Sequence, residues 1–188
     1  MKLSFSPRAE EQGSRFKRLL QAGLVREHYF DEHVLRVGGS YSHAEGAGAL
    51  ASANAFDDLH SLSGGATLVL ANTLYLGASV TYDGRSGLQR VAAPVSRSNA
   101  LGYSTSINYN TGPWTVGAYV QQAKAEGDPL RLGRDDLRAV QLGASYRLNT
   151  RVRFYAAGYF YRFHDEGGIA DQDRYRGRVF LIGSRVTL

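Results

Sequence analysis

Four arginines, Arg36, Arg147, Arg153 and Arg185, fall at alternate positions among glycines, serines and threonines. A guanidinium stays charged at any physiological pH, so arginines that line an aqueous passage would attract anions and hold off cations. The other role open to each is a structural ion pair with a nearby acid. Tyr119, Gln121 and Gln141 stand on the same kind of row and would add neutral hydrogen-bonding groups to such a passage. Catalytic chemistry is poorly served. Serines are abundant, but none lies in a G-x-S-x-G turn and no Ser-His-Asp set can be assigned, so no catalytic residue is named. The five histidines, His28, His33, His43, His60 and His164, lack the i,i+4 or shared-strand spacing of a metal site. Asp165, Glu166, Asp171 and Asp173 form an acidic run whose spacing does not match a calcium loop; a solvated acidic loop is expected there. The chain has no cysteine, which removes thiol catalysis, disulfides and cysteine zinc sites. The expectation is therefore no metal, no cofactor and no enzyme.

The elements that must position these residues are strands. From Leu101 to Tyr109, Leu101, Tyr103, Thr105, Ile107 and Tyr109 alternate with Gly102, Ser104, Ser106 and Asn108; beyond a turn, Trp114, Val116, Ala118 and Val120 alternate with Thr115, Gly117, Tyr119 and Gln121. A period of two is the signature of a strand. A four-residue turn, Asn110 to Pro113, would make Tyr109 and Trp114 partners and set both apolar rows on one face. The same unit recurs around Val37, Leu68, Leu76, Leu142, Phe154 and Ile182, giving eight strands from Val34 to the end. Connections alternate between short turns (71–73, 110–113, 149–151) and long polar loops (44–58, 84–98, 124–135, 164–175). Such a chain makes an up-and-down antiparallel sheet with tight turns at one end and long loops at the other, the form of an outer-membrane barrel. The prolines Pro7, Pro94, Pro113 and Pro129 all fall at turns or in loops. Residues 1–33 form a separate N-terminal segment that is less legible. Lys2 to Ser6 suit a short strand, while Phe16, Leu19, Leu20 and Leu24 fit either a short amphipathic helix or an irregular strand that turns at Asp31 and Glu32.

A net charge of +5 over 188 residues would ordinarily raise nucleic acid as a partner. Nineteen of the 22 basic residues are arginine, however, and no basic block or basic helix gathers them, so no nucleic acid is expected. No stretch is apolar enough for a spanning helix, and the first ten residues lack the apolar region of a secretory signal. An exported protein would then be seen here in a processed, engineered or truncated form.

Alternation alone also suits a soluble sandwich or a lipocalin-like barrel. The polar row decides, because on a soluble barrel it would carry many lysines and glutamates. Here it is mostly Gly, Ser, Thr, Asn and Gln with occasional Arg, and the acids lie in the long loops. The apolar row ends in aromatics at both sides, with Tyr109, Trp114 and Tyr146 towards the short turns and Tyr41 and Tyr82 towards the long loops. That is how interface girdles are placed. A small closed eight-stranded barrel with a structural or adhesive role is the alternative, but its interior is just wide enough for side chains to fill. An inward row of Gly38, Ser40, Gly65, Gly77, Ser79, Gly102, Ser104, Gly143 and Ser145 would leave voids there, so the wall of a wider barrel is expected.

At Thr111-Gly112-Pro113-Trp114, Leu142-Gly143-Ala144-Ser145-Tyr146, Phe163-His164-Asp165-Glu166-Gly167 and the closing Gly183-Ser184-Arg185-Val186-Thr187-Leu188, the sequence resembles the Gram-negative general porins, particularly the alphaproteobacterial type. The resemblance covers residues 34–188, with Lys2 to Arg8 similar to an upstream strand and turn. It implies an all-β, antiparallel up-and-down transmembrane β-barrel of the outer membrane, with eight to ten strands present in this chain, resembling the C-terminal half of a sixteen-stranded barrel. It further implies contact with outer-membrane lipid, passive diffusion of ions and small hydrophilic solutes, and a homotrimer in a full-length chain. Two departures are the final Leu188, where the family usually ends in Phe, and the lack of the upstream constriction loop.

Overall fold

The computed structural model describes residues 2–6, 16–46, 58–84, 100–126, 134–165 and 174–187. The inner parts of the four long loops, with Pro94, Pro129, Asp57, Asp128, Glu166, Asp171 and Asp173, lie outside the described residues, as do Pro7 and Leu188. Ten strands make a single sheet: β1 (Lys2–Ser6), β2 (Phe16–Phe30), β3 (His33–Gly46), β4 (Leu59–Leu70), β5 (Leu74–Gly84), β6 (Ala100–Thr111), β7 (Trp114–Glu126), β8 (Arg134–Arg147), β9 (Val152–Asp165) and β10 (Arg174–Val186). Their spatial order is their chain order, and every neighbouring pair is antiparallel. Among the described residues β1 pairs with β2 alone and β10 with β9 alone, so two edges are open.

Turn chemistry sets the registers. Gly112, at φ 55°, opens a two-residue turn with Pro113, which closes the β6–β7 hairpin on the pair Thr111 and Trp114. Glycine in the first central position suits the hand of twist that a two-residue hairpin needs. The sequence-based expectation of a four-residue turn is corrected here: Tyr109 pairs with Val116, not with Trp114. Since the slip is by an even number of residues, the rows keep their faces. At the β4–β5 turn, Ala71 and Asn72 both take positive φ, and the Thr73 N–H donates to the Leu70 carbonyl at 3.0 Å. At the β8–β9 turn the Asn149 side-chain oxygen accepts from the N–H groups of Arg151 (2.9 Å) and Val152 (2.8 Å), an Asx turn.

Residues 16–30 are strand, not helix, and belong to the same sheet as all that follows. A register shift between Lys17 and Leu20 breaks the period of two where apolar residues bunch. One extra residue in a strand changes the phase of everything beyond it, which is why the spacing mimicked a helix. The strands also run further into the long connections than the alternation indicated. Ala44 to Gly46, Leu59 to Ser61, Lys124 to Glu126, Arg134 to Leu137, His164 and Asp165, and Arg174 to Val179 are all strand. Asp135, Asp136 and Asp165 accordingly sit in the ladder rather than in loops.

The sheet has almost no core. Among the described residues only Ala44, Val69 and Ala139 are buried apolar side chains, while Leu62, Ile107, Trp114, Leu142, Phe154 and Phe180 stand exposed on one face. A single layer that exposes this much apolar surface requires an apolar solvent on that side.

Candidate functional site

Directly opposed residues in an antiparallel ladder point to the same side, so the registers assign every side chain to one of two faces. On the first lie Tyr41, Tyr82, Tyr109, Trp114 and Tyr146, all five proposed girdle aromatics, together with Tyr103, Phe154, Phe160 and Phe180, which the sequence did not single out. The Trp114 and Tyr146 rings pack with centroids 4.8 Å apart, and Phe160 meets Phe180 edge-on at 5.7 Å. On the second face lie Arg36, Arg147, Arg153, Arg185, Tyr119, Gln121 and Gln141.

The four arginines do not form one group. Arg147 is opposite Arg153, and Arg153 is opposite Arg185, so these three stand side by side across β8, β9 and β10 at the short-turn end. All three are exposed, and none has an acidic partner among the described residues. Like charges set directly opposite each other repel, and only water or anions can relieve them. Arg36 is on β3, far across the sheet; its Nε lies 2.7 Å from Glu27 Oε1, and Glu27 also accepts a hydrogen bond from Tyr29. Arg36 is therefore ion-paired, while the other three carry no acidic partner among the described residues.

Between the ends, the second face is small and polar across β3–β6, where Ser63 meets Thr81 at 3.1 Å and Ser79 meets Ser104 at 2.8 Å. Across β7–β9 it becomes aromatic. Tyr119 donates to Gln121 Oε1 (3.1 Å), and Gln121 Nε2 donates to Tyr159 (3.3 Å), whose ring lies beside that of Tyr161. The rings of Tyr161 and Tyr155 cover Gly177 and Gly183 on β10, so a Cβ at either glycine would overlap them. Glycine there lets an aromatic lie flat on the edge strand.

At the long-loop end of this face Asp135 is directly opposite Asp165 and within hydrogen-bond reach of it, while Asp135 Oδ1 is shielded and has no partner. Two carboxylates can share that bond only by taking up a proton. Asp135→Asn supplies the donor, so at neutral pH it should raise resistance to thermal unfolding by a few tenths to about 1 kcal/mol. Heat-modified gel mobility of the detergent-folded protein measures this; a lowered transition temperature would contradict it.

The histidines do not converge on a metal. His33 Nδ1 accepts from the Ala71 N–H at 3.2 Å, His28 and His33 flank the Phe30 ring, and His43 stacks on His60, which Tyr41 reaches at 2.7 Å. Among the described residues no three of His, Cys, Asp or Glu gather as a metal site would need.

The apolar band on the first face slants across the register. Tyr41, Leu62, Tyr82 and Leu101 share one row on β3–β6, yet that row continues as Lys124, Asp136, His164 and Arg174 on β7–β10. Two rows lower, the residues stay apolar as far as Val140 and Phe160, and only Arg178 on β10 is charged. At the opposite margin Arg26 on β2 occupies the row of Val37, Val140 and Phe160. A band level with a membrane crosses register rows obliquely only when the strands tilt. With about 3.4 Å per residue and about 4.8 Å between strands, a drift of three rows (six residues) between β4 and β10 corresponds to a tilt of roughly 35°. Membrane barrels tilt by about 35–45°.

The family model described as Gram-negative porin matches residues 6–166 of the chain. No curated protein matches it.

Proposed function

We propose, from the premise that the chain belongs to the Gram-negative porin family, that it forms the wall of a water-filled outer-membrane pore through which ions and small hydrophilic solutes diffuse passively. The family is one of non-enzymatic channels of the outer membrane. The observation that carries the finer reading is the separation of the faces: the seven candidate lining residues share one side of the sheet, and the five girdle aromatics share the other. The lining face offers hydroxyls, amides and phenols to solutes, and its recesses of about 930 Å³ beside Ser40, Ser63 and Thr81 and about 570 Å³ beside Tyr119, Gln141 and Ser145 open widely to solvent, which suits passage better than retention.

A barrel of eight strands closed between β3 and β10 would need Val37 and Ile182 in adjoining strands. Among the described residues Ile182 instead pairs only with Ala156 on β9, and it is 89% exposed. Assembly into trimers belongs to the proposal as well. It is supported by a shallow apolar recess of about 710 Å³ at Ala118, Ala144, Ala156 and Gly158, where another surface could approach closely. Reconstitution in planar bilayers tests the function: stepwise conductance is expected, and a sample proven folded by heat-modified mobility that gives no steps would end the pore reading.

A further inference from the structure

On the lining face of β7–β9 three register rows stand side by side. The middle row is Gly117, Gly143 and Ala157, with no side chain longer than a methyl group. The row nearer the long loops is Tyr119, Gln141 and Tyr159, and the row nearer the short turns is Thr115, Ser145 and Tyr155. A low row between two taller ones leaves a recess of about 570 Å³, floored by Gly143 and Ala157 and walled by Tyr119, Gln141, Ser145 and Tyr155. The outer rows are four residues apart, about 14 Å along the strands, and three strands make the recess about 10 Å across. Asn108 on β6 closes one side, since its amide oxygen lies over Gly117 where a Cβ would stand. The rings are held in place: Tyr119 and Tyr159 are tied through the Gln121 amide, and Tyr155 rests on Gly183 of β10. Among the described residues no charged side chain lines the recess, and Arg147 and Arg153 lie one row further towards the short turns.

We propose that this recess is a transient binding site for a neutral saccharide on its way through the pore. The proposal rests on the pore reading above and gives it a solute class. The mixture of groups identifies the occupant. A sugar ring is amphiphilic: its C–H groups carry partial positive charge and stack on the negative faces of aromatic rings, here those of Tyr119 and Tyr155. Its hydroxyls need donors and acceptors together, which the amides of Gln141 and Asn108 and the hydroxyl of Ser145 supply around one floor. An apolar aromatic solute would leave those amides without partners, and an ion would meet no opposite charge within the recess. The side open to water lets a bound sugar leave quickly, as a site along a passage requires.

The experiment uses the folded protein in a sugar-free detergent, lauryldimethylamine oxide, with cellotriose as the probe. Saturation-transfer NMR reads contact between the protein and the C–H protons of the sugar without requiring current. Cellotriose should give a saturable signal, and a polyethylene glycol of equal mass should give none. Gly143→Val raises the floor of the recess, and a Cβ there meets only ordinary contacts at 3.7 Å and 3.9 Å, so the strand keeps its place. That variant should raise the half-saturating concentration about tenfold, and Tyr155→Leu about fivefold, whereas Tyr155→Phe keeps the ring and should keep most of the affinity. Heat-modified mobility confirms that each variant is folded. Equal signals from cellotriose and the glycol, tighter binding of uridine than of cellotriose, unchanged half-saturation in Gly143→Val, or equal losses in Tyr155→Leu and Tyr155→Phe would each overturn the proposal. Saturable sugar binding by a protein that gives no conductance would support the site and count against the pore, and conductance without sugar binding would count against the site alone.

Discussion

Leu142→Arg is expected to abolish the heat-resistant folded form, whereas Gln141→Arg, one residue away, should leave it nearly intact. Leu142 projects from the middle of the apolar band, in the row of Leu68, Leu76, Ile107 and Phe180. It is 51% exposed, which in the membrane means exposed to acyl chains. An arginine at mid-depth on the lipid face of a barrel costs about 2–4 kcal/mol, against about 0–1 kcal/mol near the interfaces. Measured against a total stability of about 5–15 kcal/mol, the first figure is a large fraction. Gln141 is on the other face, opposite Tyr119 and Tyr159, where water solvates a guanidinium. The slant of the band adds a second comparison. Val80 and Arg138 share a register row, yet Val80 lies inside the band and Arg138 outside it. Val80→Arg should therefore be costly, although the same row carries Arg138, Arg162 and Arg176 on β8–β10. Folding yields in detergent and transition temperatures decide both comparisons; similar losses for Leu142→Arg and Gln141→Arg would show that the two faces are not in different solvents.

Which side chains share a face was legible in the sequence because a strand fixes parity and parity survives a register error of two residues. The Tyr109–Trp114 pairing was off by two residues, and both still belong to the apolar row. What the sequence concealed lies where the apolar signal stops. Above the band both faces of a strand meet water or headgroups, so alternation vanishes although the ladder continues. Arg134 and Asp135, and Arg174 and Tyr175, read as loop for that reason alone. The row of exposed arginines that opens β10 was missed with them. Its signal was nevertheless present, since Arg174, Arg176 and Arg178 continue the two-residue period of Phe180 and Ile182 with charge in place of hydrocarbon. The division of the four lining arginines was beyond sequence altogether. Arg36 and Glu27 are brought together by the β2–β3 register, which depends on a turn at Asp31 and Glu32 and on a strand that the spacing left ambiguous.

That division leads to the last expected result: replacing Arg147, Arg153 and Arg185 together by glutamine should remove most of the anion preference of the pore, and replacing Arg36 should remove little. Three unpaired guanidinium groups on adjoining strands raise a common positive potential at the short-turn mouth, and clustered charges of one sign reach potentials of several kT at a surface. An anion entering there is stabilised and a cation is opposed, so losing about 1 kcal/mol of that potential changes the permeability ratio roughly fivefold. Arg36 has its field cancelled locally by Glu27, and Arg36→Gln would leave Glu27 as a new negative charge beside Tyr29 rather than a neutral wall. Its effect should be small and local, and Glu27→Gln, which frees Arg36, should shift selectivity further towards anions. Reversal potentials in a potassium chloride gradient measure each variant. The readings should fall with ionic strength, because a Debye length of about 10 Å at 0.1 M shortens to about 3 Å at 1 M. Unchanged selectivity in the triple variant would mean that these arginines are matched by charges elsewhere in the mouth. An equal effect from Arg36→Gln would mean that the pair with Glu27 does not persist in the membrane.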